Sequence, residues 1–168
     1  MKSWKGLVLY IGAFFLQPFL FNLLPVAGVT PNLILILTVM ITFLYDDESE
    51  LLGIVLGVIF ALLNDVAFGL YIGPGAIAIL VSGLMVFFLK GFTNKENIIN
   101  AILTIVISTW VYASVYWLVY IPLGSTYSYI YAMKSIPWQL LYNVIVAIIL
   151  YLILIKKVIK HRRDRYFR

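Results

Sequence analysis

Residues 51–89 read LLGIVLGVIFALLNDVAFGLYIGPGAIAILVSGLMVFFL, and this run indicates the architecture of the whole chain. Asp65 is its only charged residue, and Gly69–Gly75 is rich in the glycine and proline that form turns. A transmembrane helix needs about 20 apolar residues to cross the hydrocarbon of a bilayer. The run therefore predicts a helical hairpin, with one span at about 51–69 and another at about 75–89.

The composition of the rest of the chain agrees with a membrane protein. Of the 168 residues, 64% are hydrophobic and 11% are charged, and the mean hydropathy is +1.05. Soluble domains contain about 45–50% apolar and about 25% charged residues, which argues against a water-soluble globule. The predicted fold is an all-α integral membrane protein, a six-transmembrane-helix bundle. It forms one domain over residues 1–168, with further spans at about 6–24, 31–45, 98–121 and 137–155 and a basic tail at 156–168.

The distribution of Lys and Arg predicts how the chain is oriented. Cytoplasmic loops are enriched in Lys and Arg, whereas Asp and Glu have little influence. If the N-terminus is cytoplasmic, Lys134 is the only one of the 12 Lys and Arg residues that lies outside. We therefore expect both termini in the cytoplasm. A cleaved signal peptide up to about residue 27 is the alternative, but its apolar run is too long and Pro25 does not suit a cleavage site.

The third predicted span carries small residues and one carboxylate at intervals of four. Small residues at this spacing allow the backbone of another helix to approach closely, which is how helices associate in lipid. The span is therefore predicted to pack through this face. The residues concerned, called the small-residue ridge below, are Gly53, Gly57, Ala61, Asp65 and Gly69.

Asp65 is the only Asp, Glu, His, Lys or Arg within any predicted span, and a carboxylate in the membrane needs partners. In one interpretation, Asn64 and Asp65 bind the free amides of the turn at 69–75, or Tyr71, and so hold the hairpin together. A proton or ion relay is a second interpretation, although a relay normally requires several ionisable groups. Pairing with a polar group of a partner protein is the third. The sequence favours the first.

Aromatic residues concentrate toward the predicted outer half of the bundle. The simplest interpretation is an interfacial belt, in which Trp and Tyr rings lie at headgroup level. Tyr112, Tyr116 and Tyr120 also recur at intervals of four along one helix face. Such a stripe suits the docking of a partner's transmembrane helix through hydroxyl hydrogen bonds.

The residue types needed for catalysis are missing from the spans. The chain has no Cys and a single His, His161, so thiol chemistry and a zinc site lack ligands. There is no second carboxylate in the membrane, no phosphate-binding glycine loop and no base near the span hydroxyls. We therefore expect no enzymatic activity and no cofactor or metal. The basic tail at 156–168 is expected to hold the C-terminus inside and contact anionic lipids, and not to bind nucleic acid.

Two patterns of polar and small residues stand on either side of a charged link. They are Thr30-Pro31-Asn32-Leu33 and Gly53-x3-Gly57-x6-Asn64-Asp65-x3-Gly69-x3-Gly73. Together with the chain length, the six spans and the basic tail, they resemble the rod-shape-determining membrane protein family MreD. Members of that family often carry Asp after the proline, where this sequence has Asn32.

The resemblance implies a non-catalytic scaffold subunit of the cell-elongation complex in the bacterial cytoplasmic membrane. Such a subunit binds MreC and works with MreB filaments, the RodA glycosyltransferase and a class B penicillin-binding protein in side-wall peptidoglycan synthesis. We expect the hairpin to pack into its own bundle and to present its outer end to a partner's membrane anchor. The candidate packing and partner-binding residues are Pro31, Asn32, Gly53, Gly57, Asn64, Asp65, Gly69, Gly73, Tyr112 and Tyr116.

The MreD fold is similar to that of the substrate-binding subunits of energy-coupling-factor vitamin transporters, which implies an alternative function. The chain would then capture a small vitamin from outside. Its short outer loops around 25–30 and 70–74 leave mainly residues 122–136 to close a pocket, and the first span lacks the Ala-x3-Ala motif by which such subunits dock. An ion-coupled transporter is a third possibility, but the chain lacks an inverted repeat and several intramembrane charges.

Overall fold

The computed structural model describes residues 3–23, 29–45, 49–126 and 128–166, and the described chain is mainly helical. Side chains are described over 4–20, 29–45, 51–126 and 128–155, so the charges of the basic tail and most of the predicted outer loop around 25–30 lie outside the described part. Within these described ranges, six helices of 12 residues or more form a bundle, and a five-residue helix and a 3-10 turn lie in two of the connections. They are α1 (Ser3–Leu23), α2 (Leu33–Leu44), α3 (Ser49–Phe68), α4 (Pro74–Leu89), the 3-10 turn Lys90–Phe92, α5 (Ile98–Tyr120), α6 (Tyr129–Met133) and α7 (Ile136–Tyr166).

Four apolar segments of the described chain are long enough to cross a membrane, by length and composition. Two further apolar segments, Trp4–Leu20 and Leu33–Leu44, are shorter. The number of long helices agrees with the predicted six-helix bundle, and four spanning segments indicate a membrane protein. The four are Leu51–Phe68, Pro74–Phe92, Ile98–Tyr120 and Tyr129–Ile155.

The shortest of the six helices, α2, lies at the centre of the bundle. All 12 of its residues are buried, and it packs against α1, α3, α4, α5 and α7. Twelve residues rise about 18 Å, less than the roughly 30 Å of bilayer hydrocarbon. A helix that is apolar on every side is stable when neighbours cover every side. The predicted span at 31–45 is therefore a central helix enclosed by the other helices, and it exposes little surface to lipid.

The start of α2 differs from the prediction. The predicted span begins at about Pro31, since proline favours the first helical position, but in the structure Pro31 precedes the helix. The helix begins at Leu33, and Asn32 precedes it in an extended conformation (φ −89°, ψ 90°). The Asn32 Oδ1 accepts a hydrogen bond of 3.0 Å from the Leu35 amide. Because this side chain satisfies a free amide of the first turn, Asn32 is the N-cap.

The small-residue ridge of α3 packs against α2 inside the bundle. A Cβ atom added at Gly53 would lie 2.8 Å from Ile41 Cγ2, and one added at Gly57 would meet the Thr38 hydroxyl. The Tyr10 hydroxyl of α1 donates a 2.8 Å hydrogen bond to the Gly53 carbonyl oxygen. The prediction that the ridge packs within this chain is confirmed for Gly53 and Gly57, which lie against α2.

Candidate functional site

The Asp65 carboxylate closes the α3–α4 hairpin. Its Oδ2 accepts hydrogen bonds from the amides of Gly73 at 3.0 Å, Gly75 at 2.9 Å and Ala76 at 3.3 Å. Amides in the first turn of a helix have no partner within the helix, and the helix dipole favours an anion at that end. The predicted contact between Asp65 and the turn is therefore confirmed, and the carboxylate has the environment of a structural acid.

Two glycines of the turn favour this contact, one through its backbone conformation and the other through the space it leaves. Gly73 has φ 118°, a backbone conformation that glycine adopts at little cost. A Cβ atom added at Gly75 would meet Asp65 Oδ1. Pro74 occupies the first position of α4, where its missing N–H costs nothing. The Gly-Pro-Gly sequence thus fits the geometry that the carboxylate requires.

The other predicted residues near the turn have different positions. The Gly69 amide donates a 2.8 Å hydrogen bond to the Asp65 carbonyl oxygen at the end of α3. Asn64 is half-buried, and among the described residues the side-chain bonds to the turn come from Asp65 and not from Asn64. The expectation that both side chains bind the turn is therefore wrong for Asn64, which lies on a different face of α3.

A buried polar cluster, which sequence reasoning missed, joins α2, α5 and α7. The fully buried Asn143 accepts a 2.9 Å hydrogen bond from the Asn32 amide through Oδ1. Its Nδ2 donates a 3.0 Å bond to Thr109 Oγ1. Polar residues inside apolar spans are normally paired when they are buried. Asn143 and Thr109 were therefore recognisable as residues that need hydrogen-bond partners, but the sequence does not identify those partners.

Replacement of Asn143 by Leu is expected to lower the free energy of unfolding by about 2–3 kcal/mol, because it leaves the part-buried Asn32 amide without an acceptor and the buried Thr109 hydroxyl without its donor. The measurement is unfolding of the purified protein in mixed micelles, followed by circular dichroism. Asn64→Leu is the matched control, since it removes the same amide from a half-buried position. It is expected to change stability by less than about 0.5 kcal/mol. Equal effects of the two variants would contradict the role of the cluster.

The tyrosines of the predicted stripe form a stacked ladder. The ring centroids of Tyr112 and Tyr116 are 5.8 Å apart, and those of Tyr116 and Tyr120 are 4.7 Å apart. The Tyr116 hydroxyl donates a 3.1 Å bond to the Tyr120 hydroxyl. Tyr71, in the hairpin turn, packs edge-on against Tyr120 at 5.5 Å. The ladder therefore connects α5 to the same end of the hairpin that Asp65 closes.

A cavity of about 670 Å³, called the aromatic cavity below, lies beside this ladder between α5, α6 and the start of α7. Small-molecule sites occupy about 300–1,000 Å³ and combine apolar walls with a few polar groups. The connection at 122–136, expected to be the part available for closing a pocket, supplies part of the wall. Aromatic side chains in the lining are Tyr112, Tyr116, Trp117, Tyr120, Tyr131 and Trp138, and the polar ones are Ser125, Lys134, Ser135 and Gln139.

In the described part of the chain, no group of three or more His, Cys, Asp or Glu side chains is placed to hold a metal ion. No protein-family model, no curated protein and no solved structure matches the chain.

Proposed function

We propose that the chain is a non-catalytic membrane scaffold subunit of the MreD type, which binds the membrane anchor of MreC in the bacterial cell-elongation complex. The observation that carries this proposal is the hairpin held by Asp65. The carboxylate accepts hydrogen bonds from three backbone amides and so stabilises the conformation of the turn. This arrangement favours a docking element over an ion relay, because a relay needs a carboxylate that exchanges its partners.

The tip of the hairpin offers an apolar surface that the described chain leaves uncovered. Leu70 is 88% exposed and Ile72 is 68% exposed. Both lie between the end of α3 and Gly73, whose amide is held by Asp65. Exposed apolar groups on a well-held element are typical of interaction sites. We propose that this tip, at the predicted outer face, contacts the MreC anchor.

The remaining partners follow from the proposed orientation. With both termini in the cytoplasm, the acidic 46–50 link, the connection after α4 and the basic tail face the cytoplasm. There they approach MreB filaments and anionic lipid headgroups, either directly or through other subunits. RodA and the class B penicillin-binding protein are proposed as neighbours within the membrane. The charge asymmetry of the sequence supports this orientation, since only Lys134 falls on the outer side.

The double variant Leu70→Ser/Ile72→Ser is expected to reduce recovery of MreC about tenfold or more, because it removes two apolar contacts. The measurement is co-purification of tagged protein with MreC from native membranes, with the thermal unfolding midpoint recorded alongside. Phe92→Ser is the control, since Phe92 is 91% exposed at the opposite end of α4. Undiminished MreC recovery by the double variant would contradict docking at the tip.

A second candidate function is the capture of a small molecule from outside, as in the substrate-binding subunits of vitamin transporters. The aromatic cavity favours it, because its volume and lining are those of a small-molecule site. Mass spectrometry of the protein purified in mild detergent tests this function. A stoichiometric bound small molecule supports capture, whereas its absence in preparations that still recover MreC supports the scaffold alone.

A further inference from the structure

Aromatic rings from α5 and from the start of α7 line much of the aromatic cavity. The rings of Tyr112, Tyr116 and Tyr120 follow one another with interplanar angles of 24° and 28°. Trp138, at 45% exposure, contributes a further lining ring from the start of α7. Aromatic rings bind other rings by offset stacking or edge contacts. The lining therefore favours a ligand that carries an aromatic ring.

The charge in the lining is positive. Lys134 is the one charged side chain among the residues that line the cavity, and it is exposed to solvent. Tyr112, by contrast, packs against the hydrophobic core. A bound anion is therefore best placed with its charge toward Lys134.

From this arrangement we infer that the aromatic cavity binds a small anion that carries one or two flat rings. The ring system lies against the tyrosine ladder and Trp138, and the carboxylate, sulfonate or phosphate group meets the Lys134 ammonium. A cationic ligand is disfavoured because Lys134 repels it and none of the described residues that line the cavity is acidic. The inference rests on the second candidate function and deepens it by naming the class of ligand.

The test uses two probes that share a ring system and differ in charge. They are anilinonaphthalene sulfonate and the neutral phenylnaphthylamine, measured by equilibrium dialysis against the full-length protein in phosphatidylcholine nanodiscs, with partition into empty nanodiscs subtracted. The wild-type protein is expected to bind the sulfonate at one saturable site, about fivefold more tightly than phenylnaphthylamine. This preference reports the charge contribution at the exposed Lys134.

Three variants separate the contributions to binding. Lys134→Gln is expected to weaken sulfonate binding about fivefold and to leave phenylnaphthylamine binding unchanged, since only the charge is lost. Trp138→Leu is expected to weaken binding of both probes, because both use the ring. Lys5→Gln is the matched control; it removes the same charge beside Trp4 in α1 and is expected to change neither affinity.

Three results would overturn the inference, and they have different consequences for the second candidate function. Equal affinity for both probes, unaffected by Lys134→Gln, leaves a small-molecule cavity without anion preference, so capture stands and the inference fails. If neither probe shows saturable binding, both the inference and the second candidate function fail. Displacement of the sulfonate by phosphatidylglycerol added to the nanodiscs assigns Lys134 to a lipid headgroup and also overturns the inference.

Discussion

Replacement of Asp65 by Leu is expected to lower the free energy of unfolding by about 4 kcal/mol, or to prevent recovery of folded protein. The side chain is 6% exposed and one of its oxygens accepts three amide hydrogen bonds. Leucine has a similar volume but no acceptor, so these amides lose their partner. Each buried polar group left unpaired costs about 1–3 kcal/mol.

Asp65→Asn is expected to cost less, about 1–2 kcal/mol, because the amide oxygen of Asn remains an acceptor for the turn. Unfolding in mixed micelles followed by circular dichroism ranks the two variants. The matched control is Glu96→Gln, which converts an exposed acid to its amide near the opposite end of the bundle. That change is expected to have an effect below about 0.5 kcal/mol.

The same pair of variants distinguishes the structural acid from a relay. A structural acid predicts that Asp65→Asn keeps both folding and MreC recovery, and that Asp65→Leu loses them together. A relay predicts the reverse sensitivity, since Asn folds normally but cannot exchange a proton. Equal stability of the Leu variant and the wild-type protein would show that the carboxylate does not hold the hairpin.

Gly57→Ala is expected to destabilise the protein by about 2–3 kcal/mol, because the added methyl overpacks the contact between α3 and α2. The new Cβ would meet the Thr38 hydroxyl and lie 3.1 Å from Thr38 Cβ. Thr38 is fully buried in the central helix and cannot move away into solvent. In the well-packed interior, the methyl group therefore forces the two helices apart.

A double-mutant cycle identifies the cause. Thr38→Ala removes the hydroxyl that the new methyl group would meet, so the cost of Gly57→Ala is expected to fall by about 1 kcal/mol or more in the Thr38→Ala background. Gly12→Ala is the matched control, since a Cβ there has no neighbour within 4 Å. It is expected to be neutral or stabilising by up to about 1 kcal/mol. Strict additivity in the cycle would rule out a direct clash.

Local chemistry explains why the hairpin could be predicted. Asp65 and the amides of Gly73 and Gly75 are 8 and 10 residues apart, so one turn brings them together whatever the rest of the chain does. The small-residue ridge was recognisable for a similar reason, since intervals of four place residues on one helix face. The partner of that ridge was not recognisable, because the pattern states how closely a helix can approach and not which helix approaches.

Contacts between residues far apart in the sequence could not be predicted from a local pattern. The Asn32 amide and the Asn143 side chain are 111 residues apart, and their hydrogen bond depends on how α2 and α7 are placed side by side.

The start of α2 also differs from the prediction. Proline favours the first helical position, which points to Pro31, but the hydrogen bond from the Leu35 amide to the Asn32 side chain begins the helix at Leu33.

Composition, the lengths of the apolar runs and the spacing of glycines were enough to predict a six-helix bundle and the closing of its α3–α4 hairpin by Asp65. They were not enough to place α2 at the centre, to pair Asn32 with Asn143, or to form the aromatic cavity beside Lys134. The physical reason is that helices apolar on all sides carry little information about their rotation and neighbours. Those are settled only when side chains interlock at close packing and each buried polar group finds a partner.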